Sequence, residues 1–114
     1  MGFKDWRVRV EDILEAIERI DRYTTDMGEA AFIADDRSID AVVRNLEIIG
    51  EAARRMPAEA LARHPELPWG RMAEMRHILV HEYHSVDAGL IWATARHDMP
   101  PLAAPLRAML REDQ

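Results

Sequence analysis

Apolar positions recur every three or four residues along most of this chain. In DWRVRVEDILEAIERIDRY, residues 5–23, Trp6, Val10, Ile13, Ile17 and Ile20 step by four, three, four and three, which lines them up as one stripe of an α-helix. In RSIDAVVRNLEIIGEAARRM, residues 37–56, Ile39, Val42, Val43, Leu46, Ile49 and Ala53 form a second stripe. Asp36 or Ser38 would cap the start of that helix and Pro57 would stop it. Gly50 inside it costs roughly 1 kcal/mol relative to alanine, so a close helix crossing is expected there. Met27 to Ala34 reads as a short helix after Gly28, ending at the paired aspartates. PAEALARHPELP, residues 57–68, is a connector with three prolines and room for one helical turn. Pro68 sets up a helix through WGRMAEMRHILVHEY. Asp87 is placed to cap AGLIWATARH, and Pro100-Pro101 separates that segment from the amphipathic LAAPLRAML. No strand-like alternation, internal repeat or low-complexity tract appears. The pattern predicts an all-α protein, an antiparallel bundle of about five helices forming a single domain over residues 1–114.

Composition narrows the function classes. At 114 residues with 48% hydrophobic and 32% charged residues, the chain has the make-up of a soluble globular domain rather than a disordered one. It has no cysteine, which excludes disulfides and thiolate metal sites and points to a cytoplasmic protein. No apolar run approaches the ~20 residues of a membrane span. MGFKDWRVRVEDI has neither a signal-peptide core nor the Ser or Thr of a myristoylation signal. The net charge of −6 argues against diffuse nucleic-acid binding. The charge is unevenly spread, which weakens that exclusion: residues 1–36 hold ten acids and five bases, and residues 37–114 eleven acids and ten bases. All ten later bases are arginine, the side chain best shaped to fork a phosphate.

The chemistry concentrates in RHILVHEYHSVD, residues 76–87. His77, His81 and His84 stand at i, i+4 and i+7, on one helical face. Two histidines four apart can chelate zinc, but H-E-x-x-H is missing, and a solvent-facing pair is the commoner outcome. A different pattern is R-x4-H-x-Y, formed by Arg76, His81 and Tyr83. With 14 arginines and five histidines, chance alone gives roughly 0.6 Arg-x4-His pairs in a chain of this length. Requiring the tyrosine lowers this to about 0.01, so the triple is informative where the pair is not.

AVVRNLEIIGEAARRM, followed by PWGRMAEMRHILVHEYHSVDAGLIWATA, closely resembles the HepT-like branch of the HEPN (higher eukaryote and prokaryote nucleotide-binding) proteins. The resemblance runs from about Asp5 to Leu110. It implies a metal-independent endoribonuclease toxin on a helical bundle, working as a homodimer, with no cofactor. It further implies an antitoxin partner, a minimal nucleotidyltransferase that adenylylates the motif tyrosine. Residue by residue, the family's arginine is Arg76, its histidine His81 and its modified tyrosine Tyr83. His77 stands where the family often has asparagine. The substrate implied is RNA, with no role for DNA or a membrane.

These groups suit the chemistry. An imidazole with an ordinary pKa near 6.5 can take or give a proton at neutral pH. A guanidinium supplies a planar fork for charge developing on a phosphorane. Five residues along an ideal helix leave Arg76 and His81 roughly 140° apart. Either the helix distorts, or Arg76 reaches round, or two copies face each other across a dimer axis. The dimer solves the geometry and also supplies a second proton carrier. An AMP group on Tyr83, seven positions after Arg76, would bring bulk and negative charge to the site's mouth.

Other residues carry less. Leu79 is the likeliest core member of its segment. Trp69 and Trp92 read as core or interface anchors more than as base-stacking platforms. Arg44, Glu47, Glu51, Arg54 and Arg55 make what is ordinarily a solvated helix face. If that face borders a cleft, Arg44 and Arg54 are candidate RNA-backbone ligands. His64 and His97 receive no role. Two rivals remain: an interaction module that keeps the motif but only assembles with a nucleotidyltransferase, which the net charge favours, and a histidine-rich metal binder.

Overall fold

A computed structural model of the chain describes residues 2–81 and 87–112, with side chains for residues 6–75 and 87–112. Among these described residues the backbone forms α1 (Gly2–Thr24), α2 (Glu29–Ile33), α3 (Asp36–Arg54), α4 (Ala58–Arg63), α5 (Trp69–His81), α6 (Ala88–Ala93) and α7 (Ala103–Leu110), and no strand. The all-α antiparallel architecture is as the periodicity implies. The two predicted stripes are the heart of the core: Trp6, Val10, Ile13, Ile17 and Ile20 of α1 and Val42, Val43, Leu46, Ile49 and Ala53 of α3 are all buried. Ile39 is only partly so. α3 is the central helix, packing on α1 along one side and α5 along another. Gly50 is buried within it.

Local sequence decides where the elements begin and end. The cap of α3 is neither expected candidate but the residue before Asp36: Asp35 accepts from the Arg37 amide at 3.2 Å, and the Ser38 hydroxyl donates to its other oxygen at 2.8 Å. Ser38 therefore braces the cap rather than being it. These donors hold the Asp35 carboxyl below its ordinary value, the Ser38 hydroxyl most of all. α2 is only five residues long and is held by Phe32, which is fully buried and tilted against Trp92 with ring centroids 5.3 Å apart. Asp87 caps α6 as expected, accepting from the Gly89 and Leu90 amides at 2.9 and 3.3 Å.

The segment after α6 departs from a plain helix. Thr94–Asp98 widens into a π turn, closed by the Met99 amide donating to Thr94 O at 3.0 Å. A 3₁₀ turn at Pro100–Leu102 follows, because two successive prolines lack the amides an α-helix would need. On the π turn Arg96 reaches back to α1, donating to Asp21 at 3.1 Å and to the Thr24 hydroxyl at 3.0 Å. At the other end of α1, Arg7 donates to Leu110 O and Glu112 O at 2.7 and 2.6 Å. The first helix is thus tied at both ends to the last third of the chain. Among the described residues no helix is long and apolar enough to cross a membrane.

Candidate ribonucleotide site

The motif's carrier, α5, is anchored where it starts. The Trp69 indole is buried and donates to His64 O at 2.8 Å, while the Met72 amide closes the first turn on Pro68 O at 3.0 Å. Trp69 is therefore a core anchor and is not displayed for stacking. Trp92 is half-buried against Phe32, with the Arg96 guanidinium 6.0 Å from its ring centroid. His64 has a structural place: it is buried, with Nε2 2.9 Å from Glu112 and Nδ1 3.4 Å from Glu66. His97 is exposed and lines a groove.

The backbone is α-helical from Trp69 to His81. Arg76, His77 and His81 thus share one helix, and an undistorted helix leaves positions 76 and 81 roughly 140° apart about its axis. The side chains of Arg76, His77, Leu79 and His81 lie outside the described residues, as do Tyr83 and His84 entirely. Among the described residues no group of three or more His, Asp or Glu side chains is placed to hold a metal ion.

Two depressions flank the central helix. One, of about 400 Å³, lies between α1 and α3 and is lined by Arg9, Asp12, Arg44, Glu47, Ile48, Glu51 and Ala52. Arg44 thus borders a cleft. Arg54 does not line it: its guanidinium is 3.2 Å from Glu51, which Arg55 also grips through Nε. Those hydrogen bonds, from Arg55 first and Arg54 second, bring the Glu51 carboxyl down to about 2. Arg9, which hydrophobic periodicity does not single out, has its Nε shielded from solvent with no hydrogen-bond partner. The one signal for it in the sequence is a spacing: Arg9 precedes Asp12 by three positions, as Arg44 precedes Glu47. The other depression, of about 530 Å³, is mainly apolar, with Met72 and Met75 of α5, Ile91 and Leu102 among its walls.

Known proteins agree on what this fold is. A family model described as "Ribonuclease HepT-like" matches residues 13–109. A protein of Thermococcus cleftensis named "Probable ribonuclease HepT" is 44% identical over 93 residues, covering 82% of this chain and 84% of that protein. A "Putative RNase" of Caldanaerobacter subterraneus subsp. tengcongensis is 33% identical over 108 residues, 95% of this chain and 96% of its own length. A Methanocaldococcus jannaschii protein named "Gamma-glutamylcyclotransferase and putative RNase" is 39% identical over 109 residues. There the match takes in 96% of this chain but only 49% of the relative, so the chain spans about half of that protein's length. No solved structure gives a significant match.

Proposed function

The chain belongs to the ribonuclease HepT-like family, and from that premise we propose that it is a metal-independent endoribonuclease, the toxin of a toxin–antitoxin pair. The observation that carries this reading is the R-x4-H-x-Y triple, Arg76, His81 and Tyr83, whose first two members stand on a buried-anchored α5 inside the matched region.

In this reading a ribose 2′-hydroxyl attacks the neighbouring phosphorus, forming an O2′–P bond as the P–O5′ bond breaks. One imidazole accepts the hydroxyl proton and a second delivers a proton to O5′. Arg76 forks the equatorial oxygens as charge grows on them. The regular backbone of α5 supports the two-copy arrangement over a distorted helix, because positions 76 and 81 of one helix point roughly 140° apart. A homodimer then supplies the pair of histidines and the pair of arginines around one cleft. Tyr83 is the control point. A minimal nucleotidyltransferase partner transfers AMP from ATP to its hydroxyl, the Tyr83 O–P bond forming as the α–β phosphoanhydride breaks and pyrophosphate and the phenol proton leave. The added phosphodiester engages Arg76 and repels RNA. His77 is an auxiliary proton carrier.

Incubation of the purified chain with RNA in EDTA tests this directly, beside His81→Ala and Arg76→Ala. Cleavage by the unmodified chain alone is the expected result. No cleavage by any form leaves the protein as an assembly module, the role its net charge of −6 favours. Intact mass after co-expression with the nucleotidyltransferase tests the regulation: a gain of whole AMP units, lost in Tyr83→Phe, is expected.

A further inference from the structure

A chain of net charge −6 cannot hold RNA by diffuse attraction, since backbone affinity comes from guanidinium and ammonium groups displacing counterions. It needs a local place where cations are available. The α1–α3 cleft has that property. Resting on the ribonuclease reading above, we propose that this cleft is an RNA-backbone subsite, in which Arg9 and Arg44 grip a phosphodiester and Asp12 and Glu47 accept hydrogen bonds from ribose hydroxyls.

The first support is what the arginines do not do. Arg9 and Asp12 on α1, and Arg44 and Glu47 on α3, have the three-residue spacing at which helical ion pairs ordinarily close. Elsewhere in this protein helical pairs do close with the carboxylate first, Arg54 on Glu51 three positions back at 3.2 Å and Arg19 on Glu15 four back at 3.5 Å. Among the described residues neither Arg9 nor Arg44 is paired, although each has a carboxylate within its own turn and another across the cleft. Arg9 Nε is, besides, a shielded donor with nothing to donate to. A stranded guanidinium donor is costly unless an acceptor arrives, and a phosphate oxygen is the acceptor that a guanidinium fork fits best.

The second support is the chemistry of the lining. Glu51, the third carboxylate of the cleft, is already held by Arg54 and Arg55. With Glu51 engaged from outside the cleft, the lining leaves two guanidiniums, of Arg9 and Arg44, beside two carboxylates, of Asp12 and Glu47. The two remaining carboxylates suit a ribose better than a deoxyribose, because a 2′-hydroxyl gives them a donor. The volume of about 400 Å³ falls in the range of small-ligand sites, about 300–1,000 Å³. The cleft also shares α3 with α5, the carrier of Arg76 and His81.

The test is anisotropy of a short labelled single-stranded RNA on the full chain carrying His81→Ala, titrated at several salt concentrations. Arg9→Gln, Arg44→Gln and Arg9→Lys are added singly, and cleavage is assayed separately in the chain with His81 intact. Each glutamine variant is expected to weaken binding roughly five- to tenfold and to lower the salt slope by about 0.7. Arg9→Lys recovers the slope but not the full affinity, because it restores charge without the fork. In the cleavage assay KM rises while kcat holds within about twofold. DNA of the same sequence competes poorly, and better against Asp12→Asn. Arg9→Gln and Arg44→Gln binding with unchanged affinity and slope would overturn the proposal, as would a chain that binds no RNA. Arginine-dependent binding by a chain that cuts nothing would keep the cleft and sink the ribonuclease reading.

Discussion

Removing the Phe32 ring tests how the short second helix is held. α2 has five residues, far fewer than the ~12–15 at which an isolated helix becomes even marginal in water. Its place depends on Phe32, which is 0% exposed and lies 5.3 Å from Trp92, centroid to centroid. Phe32→Ala therefore removes a complete buried ring, a change worth about 3–5 kcal/mol in protein cores. That figure includes roughly 0.5–1.5 kcal/mol of ring pairing. A surface-laid element of one turn and a half settles inward more easily than a core helix, which places the expected loss near 3–4 kcal/mol. For a chain of this size roughly 1 kcal/mol moves Tm by about 4 °C, giving a fall of about 12–16 °C. Thermal melts by circular dichroism, urea titrations and a double-mutant cycle with Trp92→Leu provide the measurement. The cycle should return a coupling of about 0.5–1.5 kcal/mol. A loss below about 1 kcal/mol, or no coupling, would refute the packing argument and mean that α2 is not docked on α6. The result bears on function because α2 packs on α6, and the cap of α6 immediately follows the stretch that holds Tyr83.

Two further outcomes follow from the same structure. A Cβ added at Gly70, in the first turn of α5, meets nothing within 4 Å, so Gly70→Ala should stabilise by about 0.4–1 kcal/mol through the unfolded chain. At Gly89 the same atom would come 3.2 Å from the capping oxygen of Asp87, so Gly89→Ala should lack that gain; equal melting shifts for the two would contradict this. The Glu51 carboxyl sits at about 2 instead of 4.5, a lowered value, so its stabilising effect is complete above 4.5 and fades as pH falls toward 2. Melts of the parent and Glu51→Gln should therefore differ near neutrality and converge in acid, whereas a gap independent of pH would contradict the assignment.

Periodicity revealed α1 and α3 because their apolar residues occupy the one stripe a central bundle helix must bury. It was weaker where side-chain chemistry chooses between neighbours. Asp35, Asp36 and Ser38 are all competent caps, and only three-dimensional placement makes Asp35 the acceptor with Ser38 as its brace. The π turn at Thr94–Asp98 had no apolar signature, since it reflects Arg96 reaching to Asp21 and Thr24, more than seventy residues away in sequence. The motif Arg76, His81 and Tyr83 was legible as a triple of residue types, but a string of letters does not say what a second copy contributes. Arg9 was invisible for a related reason: on an acidic helix an arginine reads as solvated, and whether it is paired depends on α3.

The acidity of the first third has a structural explanation that alters what the net charge means. Glu18 faces Arg107 of α7 at 3.8 Å, Asp21 holds Arg96 of the π turn at 3.1 Å, and Glu15 pairs with Arg19 at 3.5 Å. Each of these is an exposed or half-exposed pair worth little alone, yet two of them join the C-terminal half of α1 to the π turn and to α7, as Arg7 ties its other end to the Leu110 and Glu112 carbonyls. Carboxylates engaged this way repel a passing phosphate less than their formal charge suggests, because each travels with its own cation. What an approaching RNA meets at short range is the charge left after such pairing, and screening removes the long-range sum within about 8–10 Å at physiological salt. One-to-one pairing leaves that remainder at −6 in sum, and among the described residues the unpaired guanidiniums of Arg9 and Arg44 are its local cations. In the proposed reading, the location of free arginines, more than the total of −6, governs where RNA would be held.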